Sequence, residues 1–212
     1  MLFRSLCLAV FLSNSILVGS PSLFAQNPVK TDEERKVLFN KHQADFDYLL
    51  GDWEFSGVRK RPGAGPDQKL HGYLSAARFP QGPTILSTDR FLNDDGTTFF
   101  TSSTLSAYNA ALDQWELVST DDGGFGIGLQ DHGIAHRDGD EVHIEMRFGS
   151  MSGRPTIWRI RHYDIQPNRY SLLADRSIDL GKTWVTNYEQ VEVRRLGPRR
   201  TLYSLIPANK MR

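Results

Sequence analysis

The sequence predicts an all-β protein, a single antiparallel up-and-down barrel of about ten strands preceded by a short N-terminal helix. Short stretches of alternating apolar and polar residues recur along the chain, and clusters of Gly, Asp and Asn separate them. No segment with helical spacing intervenes between these stretches. Four Trp, seven Tyr and twelve Phe also favour strands over helices. Closing such a meander into a barrel would pair both of its edges.

Length and charge limit the architecture and the partners. The chain has 212 residues, a length at which one domain can bury a sufficient core without disulfides. Lysine and arginine total 25, as do aspartate and glutamate, so the formal net charge is zero. Because nucleic acids and anionic membrane surfaces select a basic excess, neither is predicted as a partner.

The beginning of the chain has the pattern of a signal peptide. Arg4 supplies a positive start, residues 6–18 are mostly apolar, and Ala25 precedes a candidate cleavage site at Gln26. The apolar run is too short and too interrupted to span a membrane, so we expect no integral membrane span after processing. An uncleaved N-terminal anchor is the less favoured alternative.

Cleavage at this site would divide the chain into a signal peptide, 1–25, and a barrel domain, 26–212. The single cysteine, Cys7, falls in the segment that is removed. The mature chain would then have neither a disulfide nor thiol chemistry, and its stability would come from the core alone. These features predict a secreted or periplasmic protein.

A short helix is predicted before the barrel. Thr31 followed by Glu34 matches a capping box, in which each residue satisfies a backbone N–H near the other. The helix should therefore begin near Asp32.

The end of this helix is less sharply marked. Phe39, Phe46 and Leu50 lie at helical spacing and would form one apolar stripe. The stripe is thin at residues 41–43, where the helix can break. Gly51 is the predicted helix stop, because glycine readily takes the conformation that ends helices.

After Gly51 the apolar period changes to two, which places Trp53 and Phe55 on the same face of the first strand. Further strands are predicted where alternating runs lie between turn signals such as 93–96, 121–124, 137–140 and 167–168. They fall at 69–79, 84–92, 97–108, 113–120, 125–136, 140–148, 156–164, 169–177 and 183–194.

The strand at 140–148 alternates most clearly. Val142, Ile144, Met146 and Phe148 share one face, whereas Glu141, His143, Glu145 and Arg147 share the other. If the polar face pointed inward, it would form a charged pocket for an anionic ligand or an acid–base pair. If it points outward, it is a solvated surface, and the apolar character of the alternate residues favours that placement.

Other patterns favour structural roles. Residues 177–184 fit the Asp-box pattern, which closes a hairpin with side-chain bonds to backbone N–H groups. Asp131, His132, His136 and Asp138 have metal-ligand chemistry, but a polar hairpin is the favoured interpretation and no metal site is predicted. The glycine-rich stretch 122–128 leads into a strand rather than a helix, so no nucleotide site is predicted.

Residues 45–57 read DFDYLLGDWEFSG, and this phrase resembles the start of calycin-like β-barrels. The resemblance is closest to a widespread bacterial lipocalin-like group of unknown function, whose members begin the barrel with a phrase like FDFWIGEWEV. Members also tend to carry a late Asp-Gly-Gly-x-Thr-Trp hairpin, and residues 179–184 are similar, with Leu180 in place of the first glycine.

The resemblance implies a barrel of roughly ten strands, with Trp53 at its closed end. In lipocalin-like barrels this Trp stacks against an Arg of a late strand, for which Arg194 and Arg195 are the candidates here. The group has no settled activity, so the resemblance implies a fold and little about function.

A binding module is the favoured function, with a small apolar or amphipathic ligand inside the barrel. The alternatives are an enzyme that uses the same cavity, with His143 and Glu145 or His162 as acid–base groups, and a solid barrel that acts through its surface. Binding is favoured over catalysis. The candidate ligand-binding residues are Trp53, Phe55, Trp115, Trp158, His143, Glu145 and Arg147.

No cofactor is predicted. Haem-binding barrels of the nitrobindin kind open with Gly-x-Trp-x-Gly-x-Gly, whereas this chain has Phe55 where the middle glycine belongs. A late-strand histidine that matches theirs is also missing from the sequence.

Export should leave a mature chain that begins near Gln26. Mass spectrometry of the protein recovered from outside the cytoplasm should show the loss of about 25 residues, the length of a typical signal peptide. An intact Met1 on a membrane-bound protein would instead establish the anchor.

Overall fold

The computed structural model describes residues 29–80, 82–121, 131–148, 156–197 and 200–201. The predicted signal peptide, the glycine-rich stretch and the first part of the strand predicted at 125–136 lie outside these residues. Within the described part of the chain, no helix is long and apolar enough to cross a membrane.

The predicted up-and-down barrel is confirmed. Each strand pairs antiparallel with the next one in sequence, and β1 pairs with both β2 and β10, so the sheet closes on itself. A short β11, Arg200–Thr201, adds a parallel pairing to β2. The barrel strands are β1 (Gly51–Arg59), β2 (Gln68–Arg78), β3 (Ile85–Leu92), β4 (Thr98–Asn109), β5 (Gln114–Asp121), β6 (Asp131–Asp138), β7 (Glu141–Phe148), β8 (Thr156–Gln166), β9 (Arg169–Ser177) and β10 (Val185–Arg195).

One helix, α1, covers Asp32–His42, and its capping box is present as predicted. Glu34 N–H donates to the Thr31 hydroxyl, and Thr31 N–H donates to the Glu34 carboxylate at 2.7 Å. The helix therefore begins where the sequence places it.

The predicted helical stripe is wrong, because α1 buries none of its residues. The helix ends at His42, and the chain then bends through a 3₁₀ turn at Asp47–Leu49. Phe46 and Leu50 are buried, but they lie after the helix rather than on it. Gly51 is not a helix stop either; it opens β1 with φ of 130°, a conformation that favours glycine.

One end of the barrel is closed by a cluster that we call the floor: Phe46, Trp53, Trp115, Tyr170 and Arg195. Trp53 has no exposed surface, and its indole N–H donates to the Leu49 carbonyl at 2.7 Å. The Phe46 and Trp115 rings lie 4.6 Å apart, and the Trp53 and Tyr170 rings lie 5.4 Å apart, edge to face. The segment between α1 and β1 therefore plugs the barrel with aromatic rings.

Arg195 links the first and the last strand of the barrel, β1 and β10, at this floor. Its guanidinium lies 3.9 Å from the centroid of the Trp53 ring, which is a cation–π distance. The same group donates to the carbonyls of Leu50 and Pro167, each at 2.6 Å. Of the two candidate arginines, Arg195 is thus the partner of Trp53, and Arg194 is exposed.

Two glycines on the inner face of the sheet make room for core side chains. A Cβ at Gly72 would lie 2.6 Å from the Phe55 ring, and a Cβ at Gly133 would lie 2.2 Å from the Met146 sulfur. Both distances are far below ordinary contact, so these strands approach their neighbours closely because the side chain is absent.

The hairpin between β9 and β10 is capped by its own side chains, as the Asp-box pattern predicts. Ser177 accepts from Gly181 N–H at 2.8 Å, and Asp179 accepts from Thr183 N–H at 2.9 Å. Hydrogen bonds from the Thr183 hydroxyl, the Thr183 N–H and the Ser177 hydroxyl lower the pKa of Asp179 to about 2. The motif serves as a hairpin cap in this barrel.

Replacing Trp53 with alanine should reduce the free energy of unfolding by about 3–5 kcal/mol, the usual range for a fully buried large aromatic side chain. Urea denaturation of the two proteins measures this difference directly. Trp184→Ala is the matched control, because Trp184 is only half-buried at a hairpin and its loss should cost less. A loss at Trp53 below about 1 kcal/mol would show that the floor does not depend on it.

Candidate functional site: the barrel cavity

The barrel is closed at the floor but is not filled above it. A cavity of about 540 Å³ occupies the interior. Residues from nine barrel strands, β1 to β5 and β7 to β10, line it, together with Phe46 and Leu49 from the segment that closes the floor. The barrel thus combines a packed end with an open chamber.

Two walls of this cavity differ in chemistry. Strands β3, β4 and β5 contribute a hydroxyl wall, which consists of Ser87, Ser102, Thr104, Ser106 and Ser119. Strands β7 to β10 contribute an apolar wall, which includes Ile144, Met146, Ile160, Leu172 and Val191.

The hydroxyls of the first wall bond mainly to one another and to the backbone. Thr104 donates to the Ser119 hydroxyl at 3.2 Å, and Ser119 donates to the Ser103 carbonyl at 3.3 Å. Each of these oxygens retains lone pairs that a ligand hydrogen-bond donor can use. A molecule in the cavity would therefore meet polar atoms on one side and hydrocarbon on the other.

A polar group of five residues lines the cavity, and we call it the mouth cluster: Arg59, Asp89, Arg176, Tyr188 and Glu189. Its basic residues lie toward the end of the cavity opposite the floor, whereas Asp89 lies close enough to interact electrostatically with both Glu189 and Tyr170. Trp53 lies near the start of β1 and Arg59 ends it, so the strand separates the two by about 20 Å. Arg59 forms an ion pair with Glu189, its cross-strand neighbour. Arg176 donates to the Tyr188 hydroxyl at 2.8 Å.

Burial raises the pKa of both carboxyl groups in the mouth cluster. Burial raises the pKa of Asp89, a hydrogen bond from Ser102 lowers it and the nearby Glu189 raises it, and the result of the three is a pKa of about 7. Burial also raises the pKa of Glu189, although Arg59 opposes that shift. Near neutral pH, Asp89 is therefore divided between its neutral and charged forms.

His162 lines the cavity close to the floor. Its Nδ1 forms a hydrogen bond with the Tyr48 hydroxyl, and burial lowers the pKa of His162 to about 4. Burial also raises the pKa of Tyr48. Both groups are consequently neutral over the physiological range and act as polar packing at the base of the cavity.

The four aromatic candidates from the sequence all lie inside the barrel. Phe55 and Trp158 line the cavity wall, whereas Trp53 and Trp115 lie in the floor beneath it. Trp158 contacts Tyr188 edge to face, with the ring centroids 5.1 Å apart, next to the mouth cluster.

The three polar candidates from the sequence do not line the cavity. Because Val142, Ile144 and Met146 are buried, the period of two turns His143, Glu145 and Arg147 to the outer face of β7. There Glu145 pairs with Arg147 at 3.2 Å. These three residues therefore do not belong to a pocket within the barrel. They lie on its outer surface, which is the placement that the alternation of the strand favoured.

This outer face has its own open depression of about 620 Å³ between β6 and β10. His136 and His143 stack in it with ring centroids 5.5 Å apart. Its charges largely pair among themselves, with Arg159 lying 3.9 Å from Glu145. Among the described residues, no three His, Cys, Asp or Glu side chains are grouped to hold a metal ion.

The sequence patterns did not predict the mouth cluster. Asp89 lies on the same face of β3 as Ile85, Ser87 and Phe91, and the apolar residues of that face indicate that it points inward. Assigning residues to the two faces of each predicted strand, starting from its most apolar residue, would have placed Asp89 inside the barrel.

Two comparisons with solved structures agree with this architecture. The crystal structure of Rv2717c from M. tuberculosis is 14% identical, with a TM-score of 0.52 over 73% of this chain and 98% of that chain. The structure of the S-type phycobiliprotein lyase CPES from Guillardia theta is 10% identical, with a TM-score of 0.50 over 78% of this chain and 98% of that chain. At such identities the likeness shows the fold alone, a closed antiparallel β-barrel.

No protein-family model matches the chain, and no curated protein sequence matches it.

Asp89 should make the protein less stable as the pH rises from about 4 to about 7. Over this interval the native state keeps the Asp89 proton, whereas the unfolded chain has released it, so raising the pH favours unfolding. Asp89→Asn resembles the protonated acid and should remove a slope of at most about 1.4 kcal/mol per pH unit. Urea denaturation at half-unit steps across the interval measures the slope.

The matched control is Asp94→Asn, which changes an exposed carboxylate in the turn after β3. It should leave the slope unchanged. An equal slope in the wild type and Asp89→Asn would contradict the raised pKa, since Glu189 is the same in both proteins.

Proposed function

We propose that the protein is an exported binding module that holds one small amphipathic molecule inside its barrel. The observation that carries the proposal is the cavity of about 540 Å³ above a fully packed floor. Cavities that bind small molecules commonly measure about 300–1,000 Å³ and are mainly apolar, with a few convergent polar groups. The apolar wall, the hydroxyl wall and the mouth cluster correspond to that description.

The physical basis of affinity would be burial on the apolar wall. Each Å² of apolar ligand surface removed from water contributes about 25 cal/mol. The hydroxyl wall and the mouth cluster would set the orientation, because a polar group left without a partner in this interior is costly. A ligand with separate polar and apolar parts suits this arrangement better than pure hydrocarbon.

We further propose that the chain belongs to the bacterial lipocalin-like group that its sequence resembles. In support, the phrase at 46–55 lies at the floor, and Arg195 packs on Trp53 as that resemblance implies. Export rests on the sequence of residues 1–25. The ligand would then be one that is met outside the cytoplasm.

A second candidate function, acid–base catalysis, is favoured by one observation. Asp89 has a pKa of about 7 and lies near Glu189 within the cavity, and a carboxyl group tuned in this way suits a general acid or base. The engagement of Glu189 by Arg59 weighs against a catalytic pair. Turnover of ester or glycoside substrates that disappears in Asp89→Asn would favour the enzyme over the binding module.

Filling the cavity should abolish binding. The uncharged apolar fluorophore N-phenyl-1-naphthylamine should bind the wild type saturably, with a rise in its emission. Thr104→Trp places a large side chain in the cavity and should weaken binding by at least about tenfold, because the lost volume is space that the ligand needs.

Leu105→Trp is the matched control, since Leu105 is the next residue on β4 and its side chain is exposed. It should bind the fluorophore as the wild type does, with both variants checked for folding by circular dichroism. No saturable binding to the wild type, or equal binding to both variants, would refute a ligand cavity in the barrel.

A further inference from the structure

Arg176 differs from Arg59, the other basic residue of the mouth cluster, in forming no salt bridge among the described residues, although its charge helps to lower the pKa of Glu189. It follows Tyr170, Leu172 and Ala174 in the inward series of β9, so its side chain extends along the cavity wall. Its Nη1 donates to the Tyr188 hydroxyl, and its guanidinium lies 5.0 Å from the centroid of the Tyr188 ring. Its Nε is buried and has no hydrogen-bond partner among the described residues.

Arg59 provides the contrast within the same cluster. Its guanidinium forms an ion pair with Glu189, so their two charges cancel locally. Asp89 is the remaining acid, and its pKa of about 7 leaves it largely neutral in mildly acidic solution and half-ionised near neutrality. The charge of Arg176 is therefore only partly balanced by the side chains around it.

An incompletely balanced guanidinium inside a barrel is costly, because burial removes hydration that neutral partners replace only in part. The cost falls when an anion enters and accepts hydrogen bonds from the guanidinium. The position at the mouth also suits the head of an amphiphile, since the chamber below it is lined by the apolar wall.

We propose that Arg176 and Tyr188 form a subsite for the carboxylate of an amphipathic ligand whose hydrocarbon tail points toward the floor. This inference rests on the proposed binding function and adds the chemical class of the ligand. The Tyr188 hydroxyl accepts from Arg176 and so remains free to donate its own proton to a carboxylate oxygen. Trp158 lies beside Tyr188 and would cover the first carbons of the tail.

The charge of the head group is limited to one. Glu189 and the ionised fraction of Asp89 lie in the same cluster and would repel a second negative charge. A cationic head group is disfavoured as well, because Arg59 already occupies Glu189 and Arg176 would repel it. A monocarboxylate satisfies both limits.

Three ligands with the same tail test this directly on the wild type: decanoate, decanol and decylammonium. Displacement of N-phenyl-1-naphthylamine should show decanoate binding about ten to a hundred times more tightly than decanol, the gain expected for charge-assisted hydrogen bonds. Decylammonium should bind more weakly than decanol. Equal affinities for decanoate and decanol, or tighter binding of decylammonium, would overturn the carboxylate subsite while leaving the binding function intact.

The variant Arg176→Gln locates the preference. It should reduce the affinity for decanoate to the level of decanol. Arg169→Gln, on the same strand but exposed, should keep the wild-type preference. If Arg176→Gln weakens decanoate and decanol equally, or leaves the preference in place, Arg176 is not the carboxylate site; if the variant does not fold, the wild-type series alone decides. Failure of the fluorophore itself to bind would instead refute the proposed function.

Discussion

The closure of this barrel depends on the packing of Arg195 on Trp53. The two residues face each other across the pairing of β1 with β10, which is the pairing that turns a meander into a closed sheet. The guanidinium also donates to carbonyls at Leu50 and Pro167, which belong to segments outside the strand ladders. One side chain thereby satisfies backbone groups that the β-sheet does not, and it joins the first strand, the last strand and the turn between β8 and β9.

The interior has two parts, a packed floor and an open chamber above it. At the floor the aromatic rings contact one another, and the three largest fully buried side chains, Trp53, Trp115 and Phe46, lie there. Above it, hydroxyl and charged groups occupy positions that hydrocarbon would fill in a solid barrel. Burying them is costly, so their presence together with the cavity is better explained by a ligand than by the stability of the barrel itself.

Much of the fold followed from the sequence, because period-two alternation and turn residues act locally. The approximate strand limits, the capping box at Thr31 and the Asp-box hairpin came from such signals. The Trp53 partner was instead implied by the resemblance, which left Arg194 and Arg195 open. Gly51 was misread because a positive φ serves the start of a bent strand as well as the end of a helix.

The mouth cluster was harder to predict for a physical reason. A charged residue within a strand is ordinarily outward-facing, and only the strand phase shows otherwise. On β10 that phase is broken by a register shift between Val185 and Glu189, so that the neighbours Tyr188 and Glu189 are both buried. Simple alternation allows one of them inside, and no count along the sequence reveals the shift.

The topology also governs the order in which the chain can fold. Neighbouring strands form hairpins early, because their contacts are close in sequence, but the bond from Arg195 to Leu50 joins residues 145 positions apart. Such a contact has a large loop-closure entropy and belongs to the slow end of folding. Until the last strand is in place, β1 presents an unpaired edge that can pair with another chain. The residues at the end of β10 therefore determine how long the growing sheet remains open to aggregation.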